Sequence, residues 1–333
     1  MYAAPILAAL VTLSICLLAK PLANKLRILD VPDSVRKHHH LPTPLIGGLA
    51  ITVPMLGMGI FLSMSYEDSG LYIRLAIAIF VAFLIGLADD RYDTSPTIRL
   101  FLTFLLCLGI FSGNSELIIG ILHTSYDGYS LSLKSWAWPF TLIATVGFIY
   151  AFNMTDGMDG LAIGQGLIWT ILLLLTNNGE LNWFLITLAV VLAITLWFNA
   201  TKKLFLGDSG AYALSVIFAV MMIFTYNNNT ISMKADIIVV WTLFPFIDCV
   251  RLILKRISNR TSPLTPDNNH FHHYLALLMP HNFVVPSILS VILVCGILTI
   301  FMPEKVLIWL GVLLFIYFSV ILRVNIKRHN NQY

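Results

Sequence analysis

Eleven apolar runs dominate this sequence, and they restrict its possible folds more than any other feature. They cover approximately residues 3–19, 46–64, 71–88, 99–113, 136–152, 161–176, 183–199, 209–226, 236–252, 283–301 and 305–322. A helix that crosses a bilayer needs about 17–25 apolar residues. The runs are continuously apolar rather than alternating, which favours helices over transmembrane strands. The sequence therefore predicts an all-α integral membrane protein with about eleven transmembrane helices.

The composition agrees with a lipid-facing surface. Hydrophobic residues make up 58% of the chain and charged residues only 11%, whereas a soluble domain carries about 25% charged residues. We expect one polytopic membrane domain over residues 1–333. Its first run has no preceding basic stretch and no cleavage site, which is typical of a retained span rather than a signal peptide. The expected cytoplasmic loops cover approximately residues 20–45, 89–98, 153–160, 200–208 and 253–282.

Lysine and arginine are divided unevenly between alternate loops. Sixteen of the twenty fall in one set of loops, and only Arg74, Lys134, Lys234 and Lys305 fall in or near the other set. The positive-inside rule assigns the richer set to the cytoplasm. The N-terminus is then outside and the C-terminus is cytoplasmic, as an odd number of spans requires.

The polar residues that can do chemistry gather at the cytoplasmic ends of the apolar runs. They form four clusters, at residues 88–91, 153–160, 207–210 and 270–273. A membrane protein that collects aspartates and histidines on one face is suited to hold a highly charged ligand there. These residue types favour a divalent metal ion together with phosphates.

The first cluster contains the adjacent carboxylates Asp89 and Asp90 at the end of the third run. Their charges repel each other, so near lipid they need a cation or hydrogen-bond donors to compensate. They could bind a metal or position a substrate phosphate. They could instead be hydrated loop residues beside Arg91.

The second cluster places Asn153, Asp156 and Asp159 at intervals of three residues. On a helix this spacing gives one face, and an amide with two carboxylates suits a hard cation. Gly157 and Gly160 would allow a ligand to approach the backbone closely. The alternative is a glycine-rich turn in which Asp159 caps the next helix.

The third cluster places Asp208 between Gly207 and Gly210 at the start of another run. The glycines would leave backbone N–H groups open to an anion, which a helix N-terminus favours. Asp208 could instead only cap its own helix. Nearby Phe205 suits either a lipid-facing anchor or a platform on which a base stacks.

The fourth cluster contains His270, His272 and His273, after a basic stretch that includes Arg256. Three close histidines could bind zinc, but no cysteine is near and the carboxylates elsewhere suit magnesium better. We therefore predict donors to phosphate oxygens, with a polar loop at the membrane surface as the alternative. The basic segment 36–40 suits anionic lipid headgroups as well as a substrate.

Taken together, ADDRYD, NMTDGMDG, FLGDSGA and SPLTPDNNHFHHYL resemble the polyprenyl-phosphate N-acetylhexosamine-1-phosphate transferase family, in the right order from about residue 20 to 280. The His-x-His-His pattern resembles the bacterial undecaprenyl-phosphate GlcNAc-1-phosphate transferases. The resemblance implies that GlcNAc-1-phosphate passes from UDP-GlcNAc to undecaprenyl phosphate and that UMP is released. It implies a site on the cytoplasmic face of a bacterial plasma membrane, and the first membrane step of a cell-surface glycan pathway such as O-antigen synthesis.

The resemblance also implies roles at the reacting phosphates. Asp208 and Asn153 are expected to hold Mg²⁺, with Mn²⁺ as the other candidate ion. Asp89 and Asp90 are expected to face the acceptor phosphate. Asp156 joins Asp89, Asp90 and Asp208 as an expected catalytic residue.

Further residues are expected to bind the substrates. By resemblance, Asp159 and Phe205 lie near the uracil, and the histidines bind the phosphates of the sugar nucleotide. The expected substrate-binding set is Asp159, Phe205, Arg256, His270, His272 and His273. Expected partners are UDP-GlcNAc, undecaprenyl phosphate and membrane lipid, with a homodimer as a candidate assembly and no nucleic acid.

The chemistry of the acceptor limits the mechanism. A phosphate monoester has a second pKa of about 6, so the acceptor is mostly dianionic at cytoplasmic pH and needs no strong base. We predict direct in-line attack on the β-phosphorus, with Asp89 positioning the acceptor; a covalent aspartyl-phosphate intermediate is the alternative. Two other functions stay open: the same reaction with another UDP-N-acetylhexosamine, and a secondary transporter. A transporter favours ionisable residues near mid-span, where Asp248 is the nearest example.

Overall fold

A computed structural model of the chain describes residues 2–30, 42–66, 70–126, 128–177, 179, 181–229, 233–263 and 269–330. The basic segment 36–40 and Asp267 lie outside the described residues. Within them the fold is built almost entirely of helices. These are α1 Ala3–Leu17, α2 Ala19–Leu26, α3 Gly47–Ser65, α4 Gly70–Tyr92, α5 Pro96–Phe111, α6 Ala137–Asn153, α7 Leu161–Thr176, α8 Asn182–Ala200, α9 Gly207–Asn228, α10 Ala235–Ser258, α11 Phe271–Ala276, α12 His281–Phe301 and α13 Val306–Asn330.

Each of the eleven predicted apolar runs is a helix. In the described part of the chain, eight helical segments are long and apolar enough to cross a membrane. The bent pair α1 and α2, which meet at 70°, makes a ninth if it is counted as one span. The helices α5 and α7 are apolar but shorter, with 16 residues each. The multi-pass membrane architecture is thus confirmed, while the number of spans and the orientation stay predictions.

Helix α9 forms the centre of the bundle. Its entire apolar stretch is buried inside the protein, because α3, α4, α6 and α7 pack around it. It packs most extensively against α4. At the periphery, α13 is mostly exposed, as expected of a helix whose outer face meets lipid. A side chain at the start of α9 is therefore held from several sides.

Two short antiparallel sheets lie at the ends of the bundle, so the structure is not purely helical. Strands β1 Leu29–Asp30 and β2 Thr43–Pro44 pair near the start of α3. Strands β3 Ile121–His123 and β4 Ser130–Ser132 form a hairpin near the start of α10. The hairpin is held there by Asp236, which accepts hydrogen bonds from the Ser125 backbone N–H and hydroxyl at 2.8 and 3.1 Å.

Several predicted loops are shorter than expected because helices continue into them. Helix α4 runs to Tyr92, so Asp89 and Asp90 lie in its last turn and not in a loop. Helix α10 runs to Ser258, and α11 occupies part of the predicted loop 253–282. The predicted loop 20–45 contains α2, β1 and β2. The physical reason at α4 is that hydrogen-bond donors from α9 satisfy the Asp90 carboxylate, which would otherwise be costly there.

Candidate active site at one end of the helical bundle

The start of α9 is the point around which the predicted polar clusters assemble. Gly48 of α3 and Gly86 of α4 press against its backbone: a Cβ added to Gly86 would lie 2.3 Å from the Asp208 carbonyl oxygen, and one added to Gly48 would lie 2.5 Å from the Gly210 nitrogen. Small residues permit such close helix approach in membranes. The chain before α9 is also fixed, because the Gly47 N–H donates to the Phe205 carbonyl at 2.9 Å. We call this end of the bundle the site end.

Asp90 caps the N-terminus of α9. Its two carboxylate oxygens accept the backbone N–H groups of Asp208 at 2.8 Å and Ser209 at 3.0 Å. Gly207, at φ +73°, brings the backbone close enough that an added Cβ would lie 2.8 Å from Asp90 Oδ2. The N-terminus of α9 does attract an anion, but this anion is the carboxylate of Asp90 and not a substrate. The expectation that these N–H groups are open to a substrate is wrong for Asp208 and Ser209.

Asp90→Asn should weaken this cap. The substituted amide would turn one N–H₂ group toward a backbone donor, so we expect a stability loss of about 1–2 kcal/mol and lower activity through displacement of Asp208. Thermal unfolding and turnover of the detergent-solubilised protein measure both effects. Ser95→Ala is the control, since Ser95 caps the peripheral helix α5 through the Ile98 N–H at 3.3 Å. Equal losses in the two variants would refute a special role for the Asp90 cap.

Asp208 lies at the meeting point of α4, α5, α6 and α9. Asn153, the last residue of α6, donates from Nδ2 to Asp208 Oδ1 at 3.0 Å. Arg99, in the first turn of α5, contacts Asp208 Oδ2 at 3.4 Å and forms a shorter ion pair with Asp89 Oδ2. Asp89 also accepts from the Thr94 hydroxyl at 3.0 Å. The alternative in which Asp208 only caps its own helix is wrong, because Asp90 occupies that position.

The oxygen ligands around Asp208 suit an open magnesium site better than a site in which the protein supplies every metal ligand. In the described ranges, no three His, Cys, Asp or Glu side chains lie close enough to form such a site. Mg²⁺ is usually held by one or two carboxylates, and water and substrate phosphates complete its octahedron. With Nδ2 of Asn153 turned to Asp208, the amide oxygen of Asn153 is left for a cation beside that carboxylate. This arrangement fits the predicted pair Asp208 and Asn153, whose metal role stays a prediction.

The second predicted cluster is a turn and not a helical face. Helix α6 ends at Asn153 and α7 begins at Leu161, so Asp156 and Asp159 lie in the irregular segment between them. Gly160, at φ +85°, precedes α7 as its N-cap, so the interpretation of Asp159 as N-cap is wrong. The Gly160 N–H donates to Asn199 Oδ1 at 2.6 Å. It is therefore already paired within the protein.

Asp156 gives this turn a pH-dependent stability. Burial, with smaller contributions from the charges of Asp90 and Asp159, raises the pKa of Asp156 to about 7. An unfolded Asp titrates at about 3.9, so the folded protein binds the proton more tightly. Its free energy of unfolding should then fall as pH rises from about 4 to about 7.

Thermal unfolding of the metal-free protein across this pH range measures the effect. Asp156→Asn should remove this part of the pH dependence, because the amide does not titrate. Asp93→Asn serves as the control, since Asp93 is exposed at the same end of the bundle. Parallel curves for the wild type and the Asp156 variant would contradict the assignment.

The residues around His270, His272 and His273, which we call the histidine segment (269–273), pack directly against this turn. A Cβ added to Gly157 would lie 2.3 Å from His272 Nε2, so the glycine admits a side chain of the protein itself. The rings of His270 and His272 are stacked in parallel, with centroids 5.4 Å apart. The ring centroids of His272 and His273 are 4.3 Å apart. Burial, followed by the neighbouring His273 and His270, lowers the pKa of His272 to about 3, so His272 is neutral.

The remaining predicted substrate residues are less open than expected. Arg256 is buried, and its Nη1 donates to the Pro263 carbonyl at 2.7 Å, so it fixes the loop after α10. The Phe205 N–H donates to the Pro44 carbonyl at 2.9 Å and its side chain is partly buried. The contacts of Arg256 and Phe205 with a substrate stay predictions.

Two residues that organise the site were not predicted as site residues from the sequence. Arg99 contacts both Asp89 and Asp208, although the sequence marks it only as one cytoplasmic basic residue among many. Asp248 binds the histidine segment through His270 Nδ1 at 3.1 Å. An acidic residue inside an apolar run indicates a functional site, and Asp248 is such a residue.

Comparisons with known proteins find similar sequences over most of the chain. A model of glycosyl transferase family 4 matches residues 72–226, which include Asp89, Asn153 and Asp208. A probable undecaprenyl-phosphate N-acetylglucosaminyl 1-phosphate transferase of Bacillus subtilis (strain 168) is 27% identical over 329 residues, which cover 96% of this chain and 89% of that protein.

Two further relatives are named undecaprenyl-phosphate alpha-N-acetylglucosaminyl 1-phosphate transferase. The protein of Yersinia pestis is 25% identical over 93% of this chain and 88% of its own length. That of Escherichia coli (strain K12) is 27% identical over 77% of this chain and 71% of its own length. The helical membrane bundle, the carboxylates gathered at its site end and these matches lead to one assignment: the chain is a transferase that is similar to glycosyl transferase family 4 over residues 72–226.

Proposed function

We propose that this transferase moves GlcNAc-1-phosphate from UDP-GlcNAc to undecaprenyl phosphate, and that it does so at the cytoplasmic face of a bacterial plasma membrane. The observation that carries the proposal is the convergence of Asn153 and Arg99 on Asp208, with Asp89 paired to the same Arg99 guanidinium. The names of these relatives support this acceptor and sugar. The excess of Lys and Arg in the loops at the site end supports the orientation.

The central physical difficulty is charge repulsion between two phosphate-bearing substrates. The acceptor is a monoester whose second pKa is about 6, so at neutral pH its dianion meets the diphosphate of the donor. Asp208 and Asn153 would hold Mg²⁺ or Mn²⁺, and such an ion neutralises and aligns phosphate oxygens when bound. Arg99 adds a positive charge beside the same carboxylates.

In the proposed reaction an oxygen of the acceptor phosphate attacks the β-phosphorus of UDP-GlcNAc. A new P–O bond forms as the bond from that phosphorus to the bridging oxygen breaks, and UMP leaves with the electron pair. The acceptor oxygen is already ionised, so Asp89 is not needed as a base. Its carboxylate is held by Arg99 and Thr94, and it orients the guanidinium toward the reacting groups.

The surroundings of Arg99 suit a lipid acceptor. Arg99 is in the first turn of α5, where Ile98 and Phe101 are 54% and 59% exposed. An isoprenoid tail can lie against this apolar surface while its phosphate reaches Arg99 and Asp208. The water-soluble donor can approach from the side of the histidine segment and the 154–160 turn.

The test is transfer by purified protein in detergent with a panel of UDP-sugars and undecaprenyl phosphate. UMP release and lipid product should both appear with UDP-GlcNAc and require the acceptor. Preference for another UDP-N-acetylhexosamine would correct the sugar, and product formation with none of them would refute the proposal. Stoichiometric UMP release in a single turnover without acceptor would favour a covalent aspartyl-phosphate route over direct attack.

A further inference from the structure

Asp248 is the centre of a buried polar network that the proposed reaction has not used. Asp248 lies within the apolar helix α10 and is only 7% exposed. Its Oδ1 accepts from Arg251 Nη2 at 2.6 Å and from the Tyr317 hydroxyl of α13 at 2.8 Å. A buried carboxylate paired with Arg is acceptor-only, and each of these contacts supplies a donor.

The network reaches the histidine segment at three successive residues. Asp248 Oδ2 contacts His270 Nδ1 at 3.1 Å, and the Phe271 N–H donates to both carboxylate oxygens at 3.1 and 3.2 Å. The Asn269 carbonyl accepts from Arg251 Nη2 at 2.5 Å. The peptide groups before and after His270 are thus held together with its ring.

These contacts determine which imidazole nitrogen can meet a ligand. Because an ionised carboxylate only accepts, Nδ1 carries the hydrogen in the contact with Asp248. Nε2 makes no hydrogen bond to the part of the chain that the structure describes. It is therefore the nitrogen of His270 left for the substrate, and a histidine held by a carboxylate keeps both its ring orientation and its tautomer.

We propose that Asp248 is a positioning residue, which orients His270 toward the phosphates of the nucleotide-sugar donor. This inference rests on the proposed function, in which the histidine segment binds the donor. Asp248 itself touches no substrate and acts through His270. Stabilisation alone would need only the ion pair with Arg251 and the Tyr317 hydroxyl. It does not account for the contacts to His270 Nδ1 and the neighbouring peptide.

Asp248→Asn is the discriminating variant. It preserves side-chain size and one acceptor oxygen, but an N–H₂ group then faces either His270 Nδ1 or the donors on the other side. Where a histidine binds a metal, loss of its carboxylate partner typically costs about 10- to 100-fold, and we take the lower end of that range because His270 is oriented in the same way. We expect KM for UDP-GlcNAc to rise about tenfold, with KM for undecaprenyl phosphate nearly unchanged. Calorimetric binding of UDP should weaken by a similar factor.

A double-mutant cycle with His270→Gln separates positioning from general stabilisation. If Asp248 acts through His270, adding Asp248→Asn to His270→Gln should raise the donor KM little further, because coupled residues are not additive. Multiplied effects in the double variant, or an unchanged donor KM in Asp248→Asn, would overturn the proposal. If Asp248→Asn does not fold, Asp248→Glu, whose carboxylate is displaced by one methylene, replaces it. The same rise in donor KM is expected, and an unchanged donor KM would overturn the proposal.

Asp236→Asn is the matched control. Asp236 is at the opposite end of the same helix and binds Ser125 of the hairpin, so its replacement should change thermal stability and leave the donor KM unchanged. A comparable rise in donor KM would also refute the proposal. Absence of transfer by the wild type would instead refute the proposed function. Additive effects in an active enzyme would refute only the role of Asp248.

Discussion

Asp208→Asn should lower transfer by about 10³-fold, the scale of losing a charge-stabilising group at a reacting centre. The carboxylate contacts both Asn153 and Arg99, and asparagine keeps its shape while removing its charge. The substituted amide would also place N–H₂ beside either the Asn153 amide or the Arg99 guanidinium. The loss should appear mainly in kcat, because the charge is needed most as the two phosphates meet.

Steady-state kinetics and thermal unfolding of the same preparations measure this prediction. Asp236→Asn is the control, since it removes a carboxylate at the far end of the bundle and should retain transfer. A variant at Asp208 that folds and transfers at more than a tenth of the wild-type rate would contradict the assigned role.

Gly86→Ala should give the second large loss, without changing a polar group. An added Cβ would lie 2.3 Å from the Asp208 carbonyl oxygen and 2.4 Å from the Ser209 nitrogen. Both atoms are backbone of the central helix, so the helices must separate. Overpacking of this kind costs about 1–3 kcal/mol, and a displacement of about 1 Å at catalytic groups can cost about 100-fold in rate.

Gly109→Ala is the matched control for Gly86→Ala. Gly109 is in α5, and an added Cβ there meets no described atom within 4 Å. We expect this control to retain both stability and transfer, since alanine is also the better helix former. Wild-type transfer by the Gly86 variant would show that the contact between α4 and α9 does not position Asp208.

The positions of the long helices could be predicted from the sequence because continuous apolarity reflects a position within the membrane, whether the helix faces lipid or, like α9, is buried by other helices. The ends of helices were less predictable. Helix α4 continues through Asp89 and Asp90 because Asp90 finds its partners 118 and 119 residues later in the chain. No local pattern reports such a partner. The same holds for Arg99, whose contact with Asp208 spans 109 residues.

The motifs predicted which residues gather, but not how each is used. The glycines near Asp156 suggested room for a ligand, yet His272 occupies the space at Gly157. The glycines near Asp208 suggested open N–H groups, yet Asp90 accepts those of Asp208 and Ser209. In both cases a glycine permits close approach of another part of the protein, and the sequence does not distinguish that partner from a substrate.

The most direct test of the central claim is Mn²⁺ binding followed by electron paramagnetic resonance, in wild type and Asp208→Asn, with UDP-GlcNAc present. The account predicts one bound Mn²⁺ per wild-type chain, its loss in the variant, and no transfer by wild type after exhaustive chelation. Mn²⁺ bound equally by both proteins, or full transfer after chelation, would contradict the claim that a cation at Asp208 brings the two phosphates together.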